Sequence, residues 1–176
     1  MKKTKEIRLD LGCGPNKKEG FIGVDRKPFK GVDCVLDLTA QWTWRDATVD
    51  EIHSSHFVEH LDADERVDFV NECWRVLKPG GFATIIAPYA FSERAYGDLT
   101  HKWPPVVGFW GQYLNKAWRE ANAPHSNYAD AVDFEVVGWY SVRGDVALKS
   151  QDAQAFATQN YVGAVEDIHF RWTKKK

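Results

Sequence analysis

The sequence predicts an α/β domain built on a mostly parallel sheet; two observations carry that reading and a third departs from the usual plan. Short apolar runs end in an acid at 21–25 and 32–37, and the run at 7–11 carries Asp10 next to its last residue, as buried strands do when their carboxyl ends meet polar loops. An amphipathic stretch with helical spacing runs into Lys78-Pro79-Gly80-Gly81 and then a fresh apolar run, which is the crossover of a parallel unit. Only six residues separate Gly14 from Phe21, whereas a parallel crossover normally needs about a dozen or more.

The first strand, 7–11, closes on Gly12 and a tight loop. The second and third, 21–25 and 32–37, end in Asp25 and Asp37. Because the span after Gly14 is so short, 15–20 is expected to be a bare loop or a single turn. Residues 49–55 form a weaker, more polar fourth strand.

Asp62 is placed to cap the next helix, with Glu65 three residues on to complete a capping box. Val67, Val70, Cys73, Trp74 and Leu77 then recur at three- and four-residue intervals until the Pro-Gly-Gly stop. A fifth strand follows at 82–87. A helix is expected at about 106–119, strands at 133–140 and 165–172, and 151–160 reads equally as helix or loop.

Composition narrows the function classes. The 176 residues fit one domain, 1–176, with a cofactor half at about 7–88, an acceptor-side insertion at about 89–130 and closing strands at about 131–172. Hydrophobic residues make up 44% and charged residues 27%, ordinary for a globular chain. A formal charge of −2 lacks the basic excess of phosphate-tracking proteins, and Lys2, Lys3, Lys5 and Lys174 to Lys176 read as solubilising tails. Eight Trp and ten Phe point to a core or pocket lined with flat side chains. Cys13, Cys34 and Cys73 lack metal-knuckle spacing, so free thiols and a cytoplasmic setting are expected. No apolar run reaches the roughly 18 residues of a membrane span, and the residues before the first strand do not form a signal peptide.

Gly12 and Gly14 let backbone approach a ligand closely, and Asp25 suits a ribose diol. Physics alone admits any nucleoside cofactor. The pattern is more specific. Leu9-Asp10-Leu11-Gly12-Cys13-Gly14-Pro15, Gly23-Val24-Asp25, Asp37-Leu38, Ser54-Ser55-His56-Phe57-Val58-Glu59-His60-Leu61 and Glu72-Cys73-Trp74-Arg75-Val76-Leu77-Lys78-Pro79-Gly80-Gly81 occur in that order. In these blocks the chain resembles the class I, Rossmann-like S-adenosylmethionine-dependent methyltransferases, over roughly half its length.

The resemblance implies a Rossmann-like, mostly parallel sheet with an antiparallel last strand, here with a shortened or missing first helix. It implies S-adenosylmethionine as cofactor, with Asp10, Gly12 and Gly14 around its methionine end and Asp25 on the ribose. Asp37 and Leu38 would sit by the adenine, and Ser54, Ser55 and His56 near the sulfonium. Family members use a helix amino terminus to hold the cofactor carboxylate. Without it, Lys17 or Lys18 would supply the charge. The competing reading is that each acid merely ends a strand and caps a loop.

Methyl transfer is an in-line displacement in which the protein aligns the acceptor and removes a proton where needed. His101 and Asp98, in the stretch after the fifth strand, and His56, just after the fourth, are the catalytic candidates; Glu59, His60, Tyr89, Tyr96 and His125 lie in the same region. His53, His56 and His60 are spaced suggestively, but a strand-to-helix transition would not hold them on one face, so no metal site is expected. Trp103, Phe109, Trp110, Tyr113 and Trp118 follow; at helical spacing Phe109, Trp110, Tyr113 and Ala117 read as one buried face, and the alternative is an aromatic lid over a planar acceptor.

The chain lacks the Pro-Pro-aromatic and Pro-Cys signatures of base methylation, which argues against DNA. The expected reaction is methyl transfer to an O, N or S atom of a small-molecule acceptor. The alternatives are a cofactor-binding protein without transferase activity and a cofactor-cleaving enzyme. Acceptor identity and oligomeric state are not in the sequence.

Overall fold

A computed structural model describes residues 6–176 of the chain; Lys2, Lys3 and Lys5 lie outside the described residues. The sheet contains β1 (Arg8–Leu11), β2 (Ile22–Asp25), β3 (Cys34–Val35), β4 (Val49–Ser55), β5 (Leu77–Pro88), β6 (Phe134–Val142) and β7 (Val165–Lys174). Their spatial order is β3-β2-β1-β4-β5-β7-β6. β1 through β5 pair in parallel. β7 runs antiparallel to both β5 and β6 and is the one reversed strand.

This is the mostly parallel α/β sheet with an antiparallel last strand that the sequence predicts. The helices are α1 (Ala63–Val76), α2 (Arg94–Gly97), α3 (Trp110–Tyr113), α4 (Lys116–Asn122), α5 (Gly144–Ala147) and α6 (Gln151–Asn160).

Residues 12–21 contain no helix, as the short span requires. The connection from β2 to β3 is equally short, so both early crossovers are loops. One sheet face therefore holds the core. Leu9, Leu11, Val24, Ile52, Ala83, Ile85, Ile168, Phe170 and Trp172 follow one another across the strands on that face and are buried. Phe69, Val70, Cys73 and Val76 of α1 belong to the same cluster. Trp110 packs edge-on against Phe170 and Trp172.

The opposite face carries Asp10, Glu51, His53, Thr84, His169 and Arg171 in the alternate positions. It is polar and is partly covered by the loop that follows β1.

α1 begins where expected. The Asp62 side chain accepts from the Glu65 N–H and the Glu65 side chain accepts from the Asp62 N–H, a complete capping box. Its helical backbone ends at Val76, and Lys78 to Gly81 bulge out of β5 between the Val49–Leu77 and Glu51–Phe82 pairs, with Gly80 at φ +82°. The third strand shrinks to Cys34–Val35, while 151–160 resolves to helix.

The single helix expected at 106–119 is two. α3 stops at Leu114, and Asn115 starts α4 by accepting a hydrogen bond from the Trp118 N–H. The apolar spacing across 109–117 is thus broken by a cap. Phe109 is exposed, while Trp110 enters the core, so these aromatics form no continuous buried stripe.

Candidate functional site

The loop after β1 is held by the two acids that flank it. The Asp10 side chain is almost fully buried; its Oδ2 accepts from the Lys18 N–H at 2.7 Å and its Oδ1 accepts from His53 Nδ1–H at 2.8 Å. Asp25 Oδ2 accepts from the Gly14 N–H and its Oδ1 from the Lys27 N–H, both at 2.9 Å. Each Asp25 oxygen keeps a second lone-pair direction, and the carboxylate remains part-exposed at the carboxyl end of β2.

Gly12 and Gly14 both have positive φ, +70° and +52°. At Gly12 a Cβ would lie 2.4 Å from the Phe57 ring, whereas at Gly14 nothing stands within 4 Å. The first glycine is needed by the fold; the second opens onto free space. The Gly12 and Cys13 amides both donate to the Val24 carbonyl, at 2.8 and 3.2 Å, which closes the loop onto β2.

Lys17 and Lys18 are engaged in the same closure. Lys17 Nζ pairs with Asp33 at 2.8 Å, and this hydrogen bond is the main reason the Asp33 carboxyl sits below its usual value. Lys18 Nζ lies over the Phe21 ring. Burial, together with the Asp10, Asp25 and Asp33 carboxylates, pushes the Cys13 thiol up to about 11, so it stays protonated at neutral pH.

At the end of β3, Asp37 Oδ1 accepts from both the N–H and the hydroxyl of Thr39. Those two hydrogen bonds hold its carboxyl below the usual range. Leu38 is buried, and its carbonyl accepts the Trp42 indole N–H. Ser54 is also buried and donates to the Leu11 carbonyl at 2.9 Å, so its hydroxyl ties β4 to β1. Ser55, part-buried, ends β4.

Beyond β4 the chain turns sharply. His56 has φ +53°, an uncommon conformation for a residue with a Cβ. Its N–H still donates to the Ile86 carbonyl of β5. A 3₁₀ turn, Val58–His60, follows. His56 Nδ1 stands 3.3 Å from Glu59 Oε1 and its Nε2 3.9 Å from Asp167 Oδ1. The Glu59 carboxylate raises the His56 pKa above its ordinary value, against burial, which lowers it.

Asp98 and His101 do not form a dyad. Asp98 Oδ1 accepts from the Thr100 N–H and hydroxyl, closing a local turn, while His101 Nδ1 lies 3.0 Å from the Ala95 carbonyl. The His101 ring instead meets His60 edge to face, with centroids 4.9 Å apart. His125 and the part-buried Tyr128 line a cavity of about 420 Å³ with Phe109, Trp110 and Tyr113, between α1 and the 104–128 segment.

The reversed strand adds groups that sequence reasoning missed. Because β7 starts at the edge where β4 and β5 end, Asp167 faces Pro88 and His169 faces Ile86 in register. Arg94 NH1 bonds Asp167 Oδ2 at 2.9 Å, and the Asp167 Oδ1 atom is buried without a partner. His169 stacks on Trp139, and its Nε2 lies 2.6 Å from the Ser141 hydroxyl. The signal was the two-residue spacing of Asp167 and His169 in a strand whose direction brings them to this edge.

Residues 9–85 match the family model described as the methyltransferase domain. No curated protein matches the chain significantly. Among solved structures, the chain is similar to a SAM dependent methyltransferase from Archaeoglobus fulgidus, at 20% identity and TM-score 0.69, with 96% of this chain and 86% of that one covered. It is also similar to the YcgJ protein from Bacillus subtilis, at 16% identity and TM-score 0.57, with 97% and 93% covered. A third match is phosphoethanolamine N-methyltransferase 2 of Haemonchus contortus in complex with S-adenosyl-L-methionine, at 14% identity and TM-score 0.53, with 99% and 50% covered. At these identities the likeness is one of fold.

Proposed function

We propose that this chain, a methyltransferase domain of the class I fold over residues 9–85, binds S-adenosylmethionine and transfers its methyl group to an O, N or S atom of a small-molecule acceptor. The observation that carries the reading is Asp25. Its carboxylate ends β2 beside the open space at Gly14, fixed by two backbone amides and with lone pairs left for a diol.

In this reading the ribose hydroxyls donate to Asp25, and the adenine lies toward Asp37 and Leu38. The methionine end follows the 12–15 loop, whose position Asp10 sets from beneath. Ser54 and Ser55 shape the strand end next to the sulfonium. His56, in the strained turn directly after β4, is our assignment for the group that faces both sulfonium and acceptor. Asp98 and His101 shape the neighbouring loop wall.

The cofactor supplies an electrophilic methyl and a neutral thioether leaving group. The chain's own part is to hold donor and acceptor in line and to exclude water, which is where most of the rate advantage of such a reaction arises.

Calorimetry with S-adenosylmethionine tests the reading. Removing the Asp25 carboxylate deletes hydrogen bonds to a charged acceptor, worth about 1.5–3 kcal/mol, so Asp25→Ala should weaken binding by roughly 10- to 100-fold. Label transfer from the methyl group to a small-molecule fraction of cell extract should fall in step. Absence of cofactor binding by the parent chain, or unchanged binding by Asp25→Ala, would overturn the proposal.

A further inference from the structure

Among the described residues, one group of metal-competent side chains converges: Glu59, His60 and His101 each offer a ligand atom, and these atoms lie within 4.8 Å of one another. We infer that this group is a binding site for a divalent transition-metal ion of the zinc class.

The Glu59 side chain is 6% exposed, and both carboxylate oxygens are buried with no hydrogen-bond partner. A buried carboxylate without partners is costly. The nearest basic groups leave it unsatisfied. His56 Nδ1 faces only Oε1, at 3.3 Å, and leaves the buried Oε2 without a partner.

Arg66 spends its N–H groups elsewhere, on the carbonyls of Val58, Leu61, Lys102 and Pro104. A cation placed against Glu59 supplies the missing partner.

Both imidazoles are held through Nδ1. A carbonyl can only accept, so the contact of His101 Nδ1 with the Ala95 oxygen puts the proton on Nδ1 and leaves Nε2 with its lone pair. The Thr100 hydroxyl donates to Asp98 at 2.8 Å, so toward His60 Nδ1, at 3.0 Å, it acts as acceptor. His60 therefore carries its proton on Nδ1 as well. Ring nitrogens fixed from behind in this way are what metal-ligating histidines show.

By bonding carbonyls on both the 58–61 turn and the 102–104 loop, Arg66 locks the two halves of the group together, and the Lys102 N–H donates to the Glu59 carbonyl at 2.7 Å. Tetrahedral zinc needs ligand atoms roughly 3.3 Å apart. Closing from within 4.8 Å takes small rotations of two part-buried imidazoles.

Two imidazoles and one carboxylate match the donor preference of zinc over magnesium or calcium. Three protein ligands leave a coordination position for water or an acceptor heteroatom.

The test is zinc sulfate titrated into the chelator-treated full chain, read by competition with a chromophoric chelator, with X-ray absorption on the loaded protein. One equivalent is expected, with a first shell containing two imidazoles. Glu59→Gln and His101→Ala should each weaken binding by at least about tenfold, and Thr100→Val, which removes the hydroxyl behind His60, by about tenfold.

His125→Ala and Asp25→Ala should bind zinc like the parent, so loss of cofactor binding and loss of metal binding are read separately. No saturable zinc binding, an all-oxygen shell, or variants at Glu59 and His101 that bind like the parent would overturn the inference.

Discussion

At the scale of single residues, the two loop glycines carry different duties that their shared Gly-x-Gly pattern conceals. Both occupy left-handed backbone, which costs a residue with a Cβ roughly 1–2 kcal/mol. At Gly12 the added methyl would also sit 2.4–2.8 Å from Phe57 ring and Cβ atoms, and overpacking of that kind costs about 1–3 kcal/mol more. Gly12→Ala should therefore lower stability by about 2–5 kcal/mol, visible as a large drop in thermal midpoint even without ligand. Gly14→Ala meets nothing within 4 Å. It should lose only about 1–2 kcal/mol but should weaken S-adenosylmethionine binding, because its methyl fills the space the ligand approaches. Thermal melts and calorimetry on the two variants separate the roles. Equal effects of both substitutions on stability, with cofactor binding intact in Gly14→Ala, would refute the division.

At the scale of elements, α1 is the piece whose sequence signal and structure agree most closely, and the reason is local. Asp62 and Glu65 cap each other at 3.0 and 2.8 Å, and the apolar positions that follow face the core. Asp62→Ala should cost about 1 kcal/mol, which at this chain length is roughly 2–4 °C in thermal midpoint. A midpoint within experimental error of the parent would show that the cap is redundant. α3 and α4 illustrate the opposite case. Helical spacing of Phe109, Trp110, Tyr113 and Ala117 suggested one helix, but Asn115 caps a new one, and Gly111 packs so tightly that a Cβ there would stand 2.9 Å from Val136. The periodicity was real, and the cap inside it decided the outcome.

Legibility in the sequence followed the same rule. The strands, the loop after β1 and the missing first helix could be read because each depends on neighbours in the chain: an apolar run closed by an acid, a glycine turn, or a span too short for a helix. The carboxyl edge could be read only in part. His56, Asp98 and His101 were picked by type and position; Asp98 closes a local turn on Thr100, and the His101 ring meets His60. Arg94, Asp167 and His169 were missed because residues 72 to 83 positions apart meet there only once β7 reverses beside β5. Lys17 and Lys18 were expected at the cofactor carboxylate. The structure turns Lys17 onto Asp33 and Lys18 onto Phe21, because the loop they belong to must close on β2 without a helix.

At the scale of the whole molecule, the two edges of the sheet divide the work. The carboxyl edge gathers strained and unpartnered groups: His56 at positive φ, and Glu59 and Asp167 with buried free oxygens. The amino edge is laced with ion pairs. Lys78 meets Asp50 at 2.6 Å at the starts of β5 and β4, and Lys175, just past β7, meets Asp133, just before β6, at 2.7 Å. Arg75, at the end of α1, holds Glu72 at 2.6 Å.

Burial raises the pKa of Asp50, Glu72 and Asp133, yet their hydrogen bonds to Lys78, Arg75, Lys175 and nearby backbone amides outweigh it and hold all three below ordinary values. A carboxyl depressed in the folded state stabilises it above its unfolded pKa, about 4, and the stabilisation is lost as pH falls through the folded value. These pairs should therefore add no slope to stability between about pH 6 and 8 and a steep loss below about pH 4. Urea midpoints across that range test this. Asp50→Asn and Glu72→Gln should each lower stability at neutral pH and make the acid limb shallower than the parent's. An acid limb equally steep in both variants would mean that other carboxylates, and not this laced edge, govern acid unfolding.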